Sequence, residues 1–159
     1  KEYDNVLIVQ TYSKSRSLAG MRIGYAIGNP ELIRAMNDVR YSYNSYPMTR
    51  LSVALGAAAL EDEAYFRETV AKVIETREWT KKELKRLGFS FRDSQTNFIF
   101  ATHESVPAQT IFDVLREKHI FVRHFGQKRI ENYLRISIGT QAEMERFIRE
   151  TEQIIAQNR

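Results

Sequence analysis

The run NVLIVQ at residues 5–10, with TYSKSRSLAGMRIGY directly after it, is the feature that most constrains the fold. Six residues rich in β-branched apolar side chains read as a strand buried on both faces, as in a parallel sheet covered by helices. The segment after it differs in character: an amine (Lys14) among hydroxyl residues, a Leu-Ala-Gly turn, then a guanidinium (Arg22). The extended pattern resumes in MRIGYAIG, where Ile23, Tyr25 and Ile27 share one face and predict a second strand. In α/β proteins the ends of buried strands are where ligands bind. Ser13 offers a hydroxyl and Arg22 a planar fork, both suited to phosphate. An amine beside them suits a phosphorylated aldehyde, with which it condenses to a Schiff base. The competing readings are a solvated lysine, a loop-capping serine, and packing glycines at Gly20 and Gly24.

The rest of the chain alternates helix and short strand. Asn29-Pro30-Glu31 combines an N-cap, a proline in the first turn and an acid at the positive end, and predicts a helix to about Arg40. YSYNSYPMT then reads as a polar-aromatic break, placing a domain boundary between residues 45 and 46, with Tyr41, Tyr43 and Tyr46 expected to pack at a hinge, the alternative being that they line a dimer contact or the cleft. From Thr49 to Leu87 the pattern is helical, broken around Glu61-Asp62-Glu63, with Phe66, Val70, Val73, Ile74 and Leu84 as the inward stripe. Gly88 is placed to end it, with Phe89 folding back on Leu84. Strands are expected at FSFRD, NFIFAT, HIFVR and YLRISI, with a helix from Pro107 carrying Ile111, Phe112 and Leu115 inward. Thr140-x-x-Glu143 predicts a capping box opening a last helix, whose apolar stripe is Met144, Phe147, Ile148 and Ile155.

Composition narrows the function. The chain has 159 residues, 43% hydrophobic and 28% charged, the balance of a globular protein. No apolar run is long enough for a membrane helix, and no signal peptide opens the sequence. Cysteine is absent, which excludes disulfides and thiolate metal sites and fits a reducing, cytoplasmic setting. The net charge is +4, but the basic residues alternate with acids, as in ETREWTKKELKR, the pattern of a solvated helix face and not of a nucleic-acid surface. His103, His119 and His124 lack the spacing that builds a metal site. Asn97 is expected to fix a turn into a strand, and Trp79 suggests nothing chemical.

Ser13-Lys14-x-x-x-Leu18-Ala19-Gly20-x-Arg22-x-Gly24-Tyr25 resembles the cofactor-lysine segment of the fold-type I pyridoxal-phosphate aminotransferases. More narrowly, SKSRSLAGMRIGYAIGNPELI is similar to the histidinol-phosphate aminotransferase family, and TNFIF, the strand bearing Arg123, and NYLRISIGT come next in that family's order. The resemblance covers essentially the whole chain and the C-terminal part of the family's usual length. It implies pyridoxal 5'-phosphate as cofactor, with Lys14 bonded to its aldehyde and later moving a proton. Ser13 and Arg22 would hold the cofactor phosphate. Burial and the Arg22 charge would lower the Lys14 pKa, since the amine must be neutral to attack. Arg135 would bind the substrate carboxylate, which suits a guanidinium set in an otherwise apolar strand; the alternative is an edge-strand arginine facing solvent. Arg123 would contact the phosphate of histidinol phosphate.

The implied fold is α/β with α+β: residues 1–45 a remnant of the large parallel-sheet domain, residues 46–159 the small α+β domain with its long helical connector. The implied reaction moves an amino group from histidinol phosphate to 2-oxoglutarate in histidine biosynthesis, within a homodimer. Related alternatives are an aromatic amino acid aminotransferase and a phosphothreonine decarboxylase. A non-enzymatic alternative is a small domain kept for its interface. An acid for the pyridinium nitrogen and a stacking ring would come from sequence N-terminal to this chain, because Asp4 lies at the wrong end of its strand. The chain alone is therefore expected to be catalytically silent.

Overall fold

A computed structural model describes residues 3–158. The chain forms two compact units, one up to Glu68 and one from Thr69 onward. In the first unit, β1 (Leu7–Thr11) and β2 (Gly24–Gly28) pair antiparallel in a two-stranded ribbon, from Leu7 opposite Gly28 to Thr11 opposite Gly24. Between them lie a single helical turn, α1 (Tyr12–Ser15), and a 3₁₀ turn at Ala19–Met21. Helix α2 (Pro30–Tyr43) begins where the sequence predicts, with the Asn29 side chain accepting from the Glu31 N–H. Helix α3 (Arg50–Glu61) is capped by Thr49 and ends at Asp62, where α4 (Glu63–Arg86) takes over, so the expected break is real.

Two expectations for this unit need correction. β1 is not buried on both faces: Ile8 and Val9 are 50% and 63% exposed, because among the described residues no layer covers the ribbon. The tyrosines do not pack at a hinge either. Helix α2 runs past Arg40, so Tyr41 and Tyr43 sit in its last turn, and both are exposed, as is Tyr46 in the loop beyond.

In the second unit, β3 (Phe89–Phe91), β4 (Phe98–His103), β5 (Arg123–His124) and β6 (Leu134–Ser137) form an antiparallel sheet in the order β3-β4-β6-β5. Helices α5 (Ala108–Glu117) and α6 (Gln141–Gln157) and the end of α4 cover one face of it. Ile99, Ile111, Leu115, Leu134, Ile136 and Ile154 in that layer are essentially inaccessible. Period-two alternation sends Leu134 and Ile136 inward and Arg135 and Ser137 outward, and this orientation sets the open face of the sheet. Gly88 ends α4 at φ 88°, the left-handed cap its sequence position predicts; a Cβ there would stand 3.1 Å from His103 Nε2. The capping box of Thr140 and Glu143 opens α6 as expected.

The expected strand at HIFVR shrinks to two residues. His119 takes a left-handed turn after α5, and pairing with β6 begins only at Arg123 opposite Arg135. Of the expected inward stripe of α4, Leu84 is buried and Phe66, Val70 and Val73 are half-buried, whereas Ile74 is 44% exposed. His103 is structural: its Nδ1 accepts the Ser105 and Val106 N–H groups, leaving Nε2 to bond the Leu87 carbonyl at 2.9 Å. Asn97 contributes its backbone carbonyl to the Ile138 N–H, and Trp79 packs on the core.

The ETREWTKKELKR segment is solvated at Glu75, Glu78, Lys82, Lys85 and Arg86, but not throughout. Arg77 and Lys81 are buried because the loop after β3 folds over them and supplies acceptors: Thr96 O for Arg77, and Asp93 Oδ1 at 2.7 Å for Lys81, which also reaches Glu78. The hydrogen bond from Lys81 is the main cause that holds both Asp93 and Glu78 below their ordinary values of 3.8 and 4.5. Burial pulls Lys81 down, but its bonds to Asp93 and Glu78 outweigh that and leave it raised. A depressed carboxylate contributes stability that is complete above its ordinary value and lost as pH falls through the lowered one; a raised lysine contributes below its ordinary value and loses as pH rises through the raised one. Acidification is therefore expected to destabilise this unit through Asp93 and Glu78. Lys81→Met should flatten that acid limb, measured by urea midpoints between about pH 2 and pH 6.

Candidate functional site

The register of the β1–β2 ribbon gathers the first group of candidate residues. Because Thr11 faces Gly24 and the Tyr12 N–H bonds the Ile23 carbonyl at 3.0 Å, the connection of residues 12–23 closes at one end of the ribbon. Ser13, Lys14 and Arg22 all lie in that connection. Asp4 lies at the other end, where it accepts a hydrogen bond from Asn29. Lys14 sits on a helical turn, not in an irregular loop, with Ser13 half-buried and Lys14 exposed. The burial expected around Lys14 is thus not supplied by the described residues. Arg22 is exposed in the left-handed region, φ 56°, and donates from Nη1 to the Ala19 carbonyl at 2.9 Å. A primary amine, a hydroxyl and a guanidinium at one end of a ribbon form a donor set that fits a phosphorylated aldehyde.

Helix α3 seats this connection. Ser52 donates its hydroxyl to the Met21 carbonyl at 3.1 Å, and Arg16 reaches the Ala59 carbonyl at 2.8 Å. Between those contacts Gly56 meets Ile23 and Tyr12, the two buried apolar residues of the connection. The spacing of residues 52, 56 and 59 keeps all three on one helix face. Ser52, Gly56 and Ala59 are all small, and a large side chain on that face would hold the connection away.

The second group lies on the open face of the four-stranded sheet. Arg135 is on β6, an interior strand, which removes the edge-strand alternative; it is nonetheless exposed, on the uncovered face. Its direct neighbours across the ladders are Phe100 on β4 and Arg123 on β5. Directly opposite residues share a face, so both arginine side chains leave the sheet on its open side, and among the described residues neither has an acidic ion-pair partner. Like charges directly opposite one another are unfavourable without a counter-charge. Aromatic rings frame the pair: Arg135 lies 4.6 Å over the Phe98 ring and Arg123 5.6 Å from the Phe125 ring. Phe100 stacks on Tyr133 at 4.7 Å. A groove of about 790 Å³ runs along this face and includes Phe98, Phe100, Arg129, Tyr133 and Arg135.

The aromatic frame is missing from the sequence-level candidates. Its signal was present as alternation: Phe98 and Phe100 bracket the buried Ile99, which turns both rings to the same side as Arg135. Arg129 had no such signal, because it sits in an irregular loop at φ 76°.

A model of the aminotransferase class I and II family matches residues 1–150, and the chain belongs to that family. Among its relatives, the histidinol-phosphate aminotransferase of Brachyspira hyodysenteriae is 50% identical over 155 residues, covering 98% of this chain and 44% of the relative. The enzyme of the same name from Clostridium botulinum is 49% identical over the same coverage. Among solved structures, the Sinorhizobium meliloti histidinol-phosphate aminotransferase in complex with pyridoxal-5'-phosphate matches with a TM-score of 0.82 and 31% identity, over 98% of this chain and 42% of that one. The fold is thus part of a fold-type I aminotransferase, and the chain spans under half the length of these relatives.

Close packing at Gly56 gives a direct test of how the connection is seated. A Cβ at that position would stand 2.9 Å from Ile23 Cδ1, so Gly56→Leu forces Ile23 and Tyr12 apart. The expected cost is about 1–3 kcal/mol, read from urea denaturation tracked by tyrosine fluorescence.

Proposed function

We propose that this chain carries part of the active site of a pyridoxal-phosphate-dependent aminotransferase that takes histidinol phosphate as amino donor and 2-oxoglutarate as acceptor, in histidine biosynthesis. The observation that carries the reading is the Arg123–Arg135 pair, two arginines directly opposite in register on the open, aromatic-lined face of the sheet. The similarity to histidinol-phosphate aminotransferases supports it.

In this reading the cofactor, when bound, supplies an aldehyde for covalent attachment and a ring that acidifies the substrate Cα. The chain's own residues do the rest. Lys14 provides the amine that attaches to the aldehyde, and once released it carries a proton to and from the substrate Cα, acting as general base and then acid. Ser13 donates its hydroxyl and Arg22 its guanidinium to the cofactor phosphate, so the phosphate is held at the end of the ribbon where the amine is. Arg135 grips the α-carboxylate of glutamate or 2-oxoglutarate by a charge-assisted fork. Arg123 takes the phosphate of histidinol phosphate. Sharing one anion-binding face lets the two half-reactions use substrates of different shape.

Residues 1–45 then belong to the large domain and residues 46–159 to the small one, in a cytoplasmic homodimer. The partners are a small amino donor and a 2-oxo acid, with no role for nucleic acid. Among the described residues no helix is long and apolar enough to cross a membrane.

The test uses the polypeptide at the length of its relatives. Borohydride reduction after loading with pyridoxal phosphate is expected to label Lys14, and Lys14→Ala to abolish the labelling and the transfer. Arg135→Ala should raise the KM for 2-oxoglutarate about 10- to 100-fold, the loss of a charged hydrogen-bond pair. Arg123→Ala should weaken histidinol phosphate far more than a phosphate-free donor. Equal effects on both donors would overturn the substrate assignment. The 159-residue chain alone is expected to show no transfer; a normal rate would refute its dependence on further sequence.

A further inference from the structure

We propose that Arg16 is a positioning residue: it ties the helical turn bearing Lys14 to the junction of α3 and α4, and so fixes the backbone from which the amine projects. The inference rests on the reading of Lys14 as the reacting amine.

A four-residue helical turn does not hold itself together, because nucleating a helix fixes several residues for very few hydrogen bonds. Among the bonds of this turn are Arg16 N–H to Tyr12 O at 3.2 Å, Leu18 N–H to Tyr12 O at 3.1 Å, Ser17 N–H to Lys14 O at 3.3 Å and Ser15 Oγ to Thr11 O at 3.2 Å. Ser17 also sits at φ 56°, a left-handed conformation that costs a non-glycine residue free energy. Something outside the turn must hold it.

Arg16 supplies that hold with a single guanidinium. Nη1 donates to the Ala59 carbonyl at 2.8 Å, Nη2 reaches Glu63 Oε2 at 3.4 Å, and the carbon between them lies 3.7 Å above the Phe66 ring. The Arg16 side chain is only 13% exposed, which shields its bond to Ala59, whereas the Glu63 carboxylate is 47% exposed and its pairing is the weaker contact. Ala59 belongs to the last turn of α3, where carbonyls run out of helical donors and a cation meets the negative end of the helix dipole. Glu63 opens α4 and Phe66 lies one turn further on. The guanidinium therefore bridges the break at Asp62. A planar fork that donates from two nitrogens while stacking on a ring is a geometry lysine does not provide.

Arg16 caps the C-terminal end of the turn, two residues after Lys14, and the two side chains leave it in different surroundings. The exposures agree, with Arg16 enclosed and Lys14 open.

The experiment has two arms. In hydrogen exchange on this chain, Arg16→Ala is expected to speed exchange of the Arg16, Ser17 and Leu18 amides by about tenfold or more, as loss of a shielded charged hydrogen bond implies, with the β1–β2 ladder unchanged. Arg67→Ala removes the exposed partner of the same Glu63 carboxylate and should leave those three amides as they were. In the cofactor-loaded full-length enzyme, Arg16→Ala should lower kcat about tenfold, move KM for the 2-oxo acid by less than about twofold, and shift the pH titration of the bound cofactor's absorption, with Arg16→Lys recovering part of each. Unchanged exchange at the three amides would overturn the proposal, as would faster exchange with an unchanged kcat and absorption titration. Failure of borohydride to label Lys14 in the wild type would instead refute the functional reading. The exchange arm would then decide alone whether Arg16 holds the turn.

Discussion

Burial of Leu134 and Ile136 beneath α5 and α6 decides which side chains the second unit presents on its open face. Because strand side chains alternate, sealing those two residues into the core leaves Arg135 no direction but the uncovered face of the sheet. The same logic propagates through the ladders: Ile99 goes in, so Phe98 and Phe100 come out, and the register sets Phe100 and Arg123 on either side of Arg135. A one-residue slip of β6 would put the guanidinium in the core and two aliphatic chains on the surface, at a cost no anion could offset. The hydrophobic core is thus the alignment device for the charged face.

The first unit works on a different basis. Its ribbon has little core of its own, and the connection from Tyr12 to Ile23 is ordered by what it leans on. Helix α3 offers small residues where the connection approaches and a hydroxyl and a carbonyl where it needs polar partners. Positioning here is done by a few directed contacts, whereas in the sheet it is done by packing.

Much of this was legible in the sequence because it is written in local signals. The Asn29 and Thr140 caps, the Gly88 stop and the break at Asp62 each depend on residues within a turn of the feature they produce. The motif residues Ser13, Lys14 and Arg22 were legible for the same reason: they share one connection. What sequence misjudged was long-range. The apolar pattern of β1 reports what that strand is suited to pack against, and the described chain does not contain that layer. The buried Arg77 and Lys81 looked solvated because their acceptors come from a loop a dozen or more residues further on. Arg16 drew no reading from the sequence, since nothing near it there reveals Ala59, Glu63 or Phe66 as its surroundings.

The uncovered ribbon has a practical consequence for anyone handling this chain. Both of its strands have a free edge among the described residues, and Ile8, Val9 and Ile27 lie open on it. Unsatisfied amide and carbonyl rows flanked by β-branched side chains invite further strands to add, from another copy as readily as from the rest of a parent sheet. Dilution, cold and a charged fusion partner would then matter more to keeping this chain in solution than any improvement to its core.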